Sequence, residues 1–415
     1  MKQAILSQRE ERDRLLARPY LKRHISYDEG ELLKSKQIKL LTGPRRAGKS
    51  TQALLMLRGK NFAYLNFDDN ALLKHWDENL VMQVIAEVYP GYEYLMLDEV
   101  QNLEGWDLWV SKLYRNGVNM IITGSNAKML SSEMATALTG RYLEVKMLPF
   151  SLGEYFEWHK VDLPAVSDAD NAKAMALTDD YLRQGGYPET IEARNITISY
   201  LSTLFDSIVW KDVVDRHKIR KVSDLNGVAL YLLSNFCNPV SVNGLAEDLG
   251  FSSVNTVKKF MGYLAEPYLF FYLPRYNNKL KLMNKAAKKV YVVDNGFVAA
   301  RAFNLSDNFG RLLENQVFVE LLRRGYNTDN NGMFYYRSRN DKETDFVLRK
   351  GAKIEQLVQV CYDMSAAKTE KLEVDALVEW AEELKCDNLV IVTEKEERTI
   401  EVKGRTIKVV PITKF

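Results

Sequence analysis

Apolar positions recur along the chain with two different periods, and the switches between them outline its elements. Runs of strand length appear at "IKLLTG" (Ile38 to Gly43), "NFAYLNF", "YLMLDEV" (Tyr94 to Val100), "VNMIITGS" and "YLEVKML". Between them, stretches such as "KSTQALLML" (Lys49 to Leu57) repeat apolar residues at helical spacing. Strands alternating with helices from Ile38 to about Pro149 predict a parallel sheet covered by helices. Ahead of this region, the segment to about Ser35 reads as a charged helix followed by a basic turn, "RPYLKRH". From about Phe150 to Val222 the pattern is mainly helical. It is broken at "RQGGYPE", where Gly185, Gly186 and Pro188 mark a tight turn. Within it, "SIVWKDVVDRHKIRK" (Ser207 to Lys221) reads as a helix with one solvated face.

An apolar helix then leads to "SVNGLAEDLG", a turn and "SSVNTVKKFMGYLAEPYLF", with Ser252 or Ser253 as cap, and after that a strand pair. This rhythm predicts a helix-turn-helix with a wing. Such modules bind DNA through the second helix, where Asn255, Lys258 and Lys259 would face it, or they bind protein. The last region begins near "KKVYVVDNGFVAA" and continues through the helix "RLLENQVFVELLRRGY". Three strands follow: Met333 to Arg337, Glu343 to Leu348 and Gln356 to Tyr362. Late helices and "NLVIVTE" complete a second α/β unit. The expected division is 1–150, 151–222, 223–283 and 284–415.

Length and composition narrow the class. A chain of 415 residues suggests two or three domains, and 46% hydrophobic with 27% charged residues fits sizeable cores. Lys+Arg 57 against Asp+Glu 55 is nearly balanced, so any nucleic-acid contact needs a local patch. Cys237, Cys361 and Cys386 form neither a metal pattern nor a disulfide framework, which favours a reducing compartment. The opening "MKQAILSQREERDRLL" is too charged for a signal peptide, and no apolar run approaches the ~20 residues of a membrane span. A cytoplasmic protein is expected.

Candidate chemistry begins at "GPRRAGKST", which fits G-x-x-x-x-G-K-[ST] with Gly43, Gly48, Lys49 and Ser50 in the defining places. In this loop of Gly43, Pro44, Arg45, Arg46, Ala47, Gly48, Lys49, Ser50 and Thr51, backbone N–H groups turn inward to cradle a polyphosphate. Lys49 would neutralise the β- and γ-phosphates, and the Ser50 hydroxyl would hold Mg²⁺. At the end of "YLMLDEV", Asp98 would join the Mg²⁺ shell and Glu99 would be the general base for the attacking water. Thr123, Ser125 and Asn126 lie at the carboxyl end of a third strand, where a polar residue senses the γ-phosphate or the water; Ser125 is equally placed to cap a following helix. Arg141, in "LTGRYLEV", could reach a phosphate in its own or a neighbouring subunit, with a solvated arginine as the rival reading. Glu314, Glu320, Glu343 and Asp345 could gather at one end of the last sheet to hold Mg²⁺, but on the residues alone surface acids that never meet are the favoured reading.

Taken together, "GPRRAGKST", "LMLDEVQNLEGW", "ITGSNAKML", "LTGRYLEVKMLPFSLGEY" and "GGYPE" resemble a prokaryotic family of AAA-type ATPases over essentially the whole chain. Its members carry a C-terminal domain of unknown function that looks like a PD-(D/E)XK nuclease. The resemblance implies an α/β protein: a P-loop AAA-type core with a helical lid, a winged helix and a nuclease-like C-terminal domain. It implies ATP and Mg²⁺ as ligands, a sensor role at Ser125 and Asn126, and a finger-like role for Arg141, with a homo-oligomer as the working form. Glu320 and Asp345 stand where the superfamily places metal-binding acids. Its (D/E)-x-K strand reads Gln359-Val360-Cys361 here. Glutamine can still ligate, but cysteine cannot replace the lysine that offsets transition-state charge. Lys353 is the candidate substitute from a neighbouring strand. The expectation is an ATPase whose nuclease half is dead or impaired, with an ATP-regulated nuclease or a nucleotide-gated DNA-binding scaffold as its rivals.

Overall fold

Five apolar runs become strands: β1 (Ile38–Thr42), β2 (Phe62–Asn66), β3 (Tyr94–Asp98), β4 (Met120–Gly124) and β5 (Tyr142–Lys146). They pair in parallel in the order β2-β3-β4-β1-β5. Every residue of β1 and β4 is buried, which is why these strands read as continuous apolar runs rather than alternating ones. The computed structural model describes residues 1–125, 138–164, 167–302, 308–328, 332–337 and 342–415. They divide into two compact units, Met1–Pro149 with Glu266–Tyr268, and Phe150–Ala265 with Leu269–Phe415.

In the first unit, the charged N-terminal segment forms α1 (Lys2–Leu16), and its polar side chains explain its placement. Gln8 exchanges hydrogen bonds with the Asn66 N–H and C=O, both at 3.0 Å. Arg12 donates to the Phe62 carbonyl at 2.5 Å and lies over the Phe62 and Tyr89 rings, 4.8 and 4.9 Å from their centroids. β2 is an edge strand, so these contacts satisfy backbone groups that a bare edge would offer to another chain. The helix therefore needs no continuous apolar stripe, although Ile5 is fully buried in the core.

The second unit begins with helices Leu152–Trp158, Asp168–Gln184 and Thr197–Ile208, the last running into a π-helical turn, Val209–Val214. The stretch expected as a helical lid, 151–222, falls in this unit. Next come helix Val222–Ser234, strand β6 (Pro239–Val240), helices Val242–Asp248 and Val254–Ala265, and strands β7 (Phe270–Leu273) and β8 (Lys288–Val292). The three strands form an antiparallel sheet in the order β6-β8-β7. "KKVYVVD" therefore belongs to this small sheet, and the expected boundary at 284 cuts through a fold element.

The remaining strands are β9 (Met333–Arg337), β10 (Glu343–Lys350), β11 (Lys353–Val360), β12 (Leu389–Thr393), β13 (Arg398–Val402) and β14 (Arg405–Pro411). Their order is β13-β14-β12-β11-β10-β9. β9, β10 and β11 are antiparallel neighbours, whereas β12 lies parallel to β11 after the crossover helix Ala367–Leu384.

The "GGYPE" turn has a structural cause. The Gly186 and Gly296 amides each donate to the Asp294 carboxylate at 2.8 Å. Gly185 has φ 77°, and a Cβ there would come within 1.7 Å of an Asp294 oxygen. Burial pushes the Asp294 carboxyl up to about 6.

Candidate nucleotide site

The carboxyl ends of β1, β3 and β4 meet where an open parallel sheet receives its ligand. β1 runs into the loop Gly43–Gly48, and helix Lys49–Met56 starts from it. Gly43 has φ 144°, and a Cβ there would fall 1.8 Å from the Met147 carbonyl oxygen, so only glycine fits. Lys49 is 4% exposed; its ammonium donates to the Pro44 carbonyl at 2.8 Å and lies 3.9 Å from Glu99. The Ser50 hydroxyl donates to Asp98 Oδ1 at 2.6 Å, so both expected Mg²⁺ ligands converge on one point. Thr123 also donates to Asp98, and Tyr64 donates to its second oxygen at 3.2 Å.

Glu99 adopts φ 52°, a left-handed conformation that a non-glycine residue holds only when its surroundings enforce it. Its amide donates to Thr123 Oγ1 at 3.1 Å, and its carboxylate accepts from Ser125 at 3.0 Å and from Gln101. Burial would raise the Glu99 carboxyl, but the Lys49 and Arg45 charges and these two donors hold it below its ordinary value. The neighbouring Asp98 goes the other way, pushed up to about 6 by burial and by the Glu99 charge. Adjacent carboxylates are thus differentiated by their surroundings, one kept ionised and the other more basic.

Arg45 contributes charge to this site, whereas Arg46 is exposed with φ 63°. Thr51 follows Ser50 on the helix. Asn126 lies outside the described residues, as does the rest of the "NAKML" stretch, whose capping was the alternative role for Ser125. Arg141 sits at the opposite end of the sheet. It precedes β5, whose Tyr142 pairs with Ile38 at the start of β1; its guanidinium bonds Ser111 at 3.1 Å and lies over the Tyr114 ring. Five residues at ~3.3 Å each separate it from its own phosphate loop.

Three contributors escaped the sequence reading. Gln101, two positions after Glu99 in "LDEVQNL", carried a weak signal. Tyr64 and Arg23 carried none, because they come from other elements. Arg23 is 6% exposed and donates to the Ala47 and Leu148 carbonyls, each at 2.7 Å, tying the phosphate loop to the chain after β5. A buried ammonium, a hydroxyl and paired carboxylates at a helix start match the donor set that a Mg²⁺-nucleotide requires.

In the second unit the expected acids only partly assemble. Glu314, Glu343 and Asp345 converge, but on Lys289, at 2.8, 2.5 and 2.9 Å. Glu320 does not join them; it pairs with Arg323 and Arg324. Lys353 pairs with Lys350 in the hairpin register, at the far end of β11 from Gln359, so it cannot supply the missing lysine. Gln359 bridges the Asp345 amide and Glu373. The Cys361 thiol donates to the Asp363 carbonyl and is pushed up to about 12 by burial, which leaves it an inert thiol. Asn255, Lys258 and Lys259 are exposed on helix Val254–Ala265. Among the described residues, no helix is long and apolar enough to cross a membrane.

The sheet order and the loop-carboxylate constellation define a P-loop ATPase domain of the AAA type, and residues 35–156 match the family described as AAA domain. Residues 175–308 match a domain of unknown function, DUF8612, and 309–415 match another, DUF4143. The uncharacterized protein MJ1544 of Methanocaldococcus jannaschii is 33% identical over 399 residues, covering 91% of this chain and 88% of that protein. The chain belongs to the same family. An uncharacterized protein of Haemophilus influenzae is 33% identical over 346 residues, covering 79% of this chain and 83% of its own. Among solved structures, the Walker-type ATPase paby2304 of Pyrococcus abyssi aligns with a TM-score of 0.45 at 15% identity, over 69% of this chain and 99% of that one.

Proposed function

We propose that this protein binds ATP with Mg²⁺ and hydrolyses it, using turnover as a switch for its second unit. The observation that carries this reading is the convergence of Lys49, Ser50, Asp98 and Glu99 at the ends of β1 and β3. Lys49 and the loop amides would hold the β- and γ-phosphates. Ser50 and Asp98 would hold Mg²⁺, which supplies charge neutralisation between the phosphates. Glu99, kept ionised beside Lys49 and Arg45, would accept a proton from the attacking water. Thr123 fixes the Glu99 backbone and Ser125 its carboxylate, which supports a positioning or sensing role for β4. Arg141, too distant from its own loop, would act on a neighbouring copy in a homo-oligomer.

The second unit supports two further assignments. Two helices followed by strands closing a β6-β8-β7 sheet match the order of a winged helix, with exposed Asn255, Lys258 and Lys259 offered to DNA or to a protein partner. Three antiparallel strands, a crossover helix and a parallel strand resemble a PD-(D/E)XK core. Gln359 and Cys361 in its motif, and Lys289 among its acids, favour a domain that no longer cleaves and serves binding or assembly. A cytoplasmic location accords with the three buried free thiols.

The primary reading is tested by titrating a fluorescent ATP analogue into wild type and Lys49→Ala. Removing the only ammonium buried in the loop should weaken binding about a hundredfold or more, a few kcal/mol at ~1.4 per decade. Equal affinity in the variant would overturn the phosphate-loop assignment.

A further inference from the structure

Lys289 is an unusual buried cation. It lies on β8, is 2% exposed, and faces Glu314 from helix Phe309–Arg323 and Glu343 and Asp345 from β10. Its three carboxylate contacts, at 2.8, 2.5 and 2.9 Å, match the three protons that an ammonium can donate. Two of these carboxylates accept further hydrogen bonds. Tyr291 donates to Glu314 at 2.6 Å, and the Val360 amide donates to the second Asp345 oxygen at 3.0 Å. Gln359, the one remaining ligand suggested by the motif, spends its amide nitrogen on Glu373 at 2.7 Å and its oxygen on the Asp345 amide.

Mg²⁺ or a similar ion needs carboxylate oxygens at about 2.0–2.2 Å around a single centre. Here that centre is filled by the Lys289 nitrogen, and a divalent ion beside it would meet a buried like charge in a low-dielectric site. Among the described residues, no group of three or more His, Cys, Asp or Glu side chains is arranged to hold a metal. The acids therefore do not fit the metal that a nuclease of this shape would carry.

We propose that the Lys289 ammonium is the resident cation of this acid cluster, occupying the position a divalent metal would otherwise take. The inference deepens the reading of the C-terminal half as a non-cleaving nuclease-like fold, and rests on it. The lysine also joins the small β6-β8-β7 sheet to the six-stranded sheet through charge, because its partners all lie on C-terminal elements. At 2% exposure it is not presented to a phosphodiester, which separates this role from that of a relocated catalytic lysine. Removing it should leave three carboxylates around one vacated centre, a set that a divalent cation can enter.

The test uses full-length, nucleotide-free protein and Mn²⁺, with bound ion read by electron paramagnetic resonance and folding by thermal melting. Wild type and Asp345→Asn should take up the same Mn²⁺. Lys289→Met should melt lower than wild type, regain stability with Mn²⁺, and take up one additional Mn²⁺ per chain that Lys289→Met/Asp345→Asn loses. Asp345-dependent uptake by wild type would overturn the proposal, since lysine and metal would then share the site. So would a Lys289→Met protein that folds but gains no Mn²⁺, or one that Mn²⁺ cannot restore to a folded state. Plasmid cleavage in Mn²⁺ separates the two levels: wild-type cleavage abolished by Asp345→Asn would sink the non-cleaving reading itself, whereas uptake without cleavage would sink only the cation assignment.

Discussion

At the scale of single residues, environment decides what each carboxylate does. Asp98 and Glu99 are neighbours, yet burial and the Glu99 charge raise one to about 6, while the Lys49 and Arg45 charges help to hold the other low. Asp294 is a third case, with a structural role. Burial raises it from 3.8 to about 6, despite two backbone donors. Its folded pKa lies above its unfolded one, so its contribution favours folding below pH ~4 and is lost as pH rises through ~6. About two units at ~1.36 kcal/mol each gives about 3 kcal/mol. Urea unfolding of wild type and Asp294→Asn should therefore show the difference moving about 3 kcal/mol in favour of the variant between pH 4 and 7. Parallel stability curves would contradict this. Lys49, Ser50, Asp98 and Glu99 were legible in the sequence because loop and strand end each keep their chemistry within a few adjacent residues. The partners of Lys289 lie 25 to 56 positions away, and no local pattern carries such a pairing.

At the scale of elements, strands in the first unit were readable because both faces are buried, so apolar runs stand out against helical spacing. The position of α1 was not readable. Its contact with β2 works through Gln8 and Arg12, which in sequence look like an ordinary solvated face. In the second unit a helix, Leu280–Lys285, separates β8 from β7, which is why "KKVYVVD" reads in sequence as the start of a new domain although it pairs within the β6-β8-β7 sheet. The role given to α1 makes a prediction. Gln8→Ala combined with Arg12→Ala removes the three hydrogen bonds at the β2 edge, one of them charge-assisted, at about 2–4 kcal/mol in all. Chemical denaturation followed by first-unit tryptophan fluorescence should show that loss, together with greater aggregation from the bared edge. An unchanged midpoint would mean that the helix is only loosely attached.

At the scale of the whole molecule, Arg141 lies at the end of the sheet opposite its own phosphate loop, and in the proposed reading it acts on a neighbouring copy. An arginine supplied by a neighbour can be worth about 10³ or more in rate. Turnover per chain should then rise with protein concentration, and mixing Arg141→Ala with Glu99→Gln chains should recover activity that neither shows alone. Concentration-independent turnover without recovery would remove Arg141 from catalysis.

If Glu99 is the base of an ATP-hydrolysing site, as proposed, one variant separates binding from chemistry. Glu99→Gln preserves shape but cannot accept the proton of the attacking water. Rapid mixing with radiolabelled ATP, followed by separate measurement of bound nucleotide and released phosphate, distinguishes binding from chemistry in one sample. The predicted result is ATP retained with near wild-type affinity while phosphate release falls at least about a hundredfold, the range that a general base contributes. Phosphate release at the wild-type rate, with ATP bound, would mean that Glu99 is not the base.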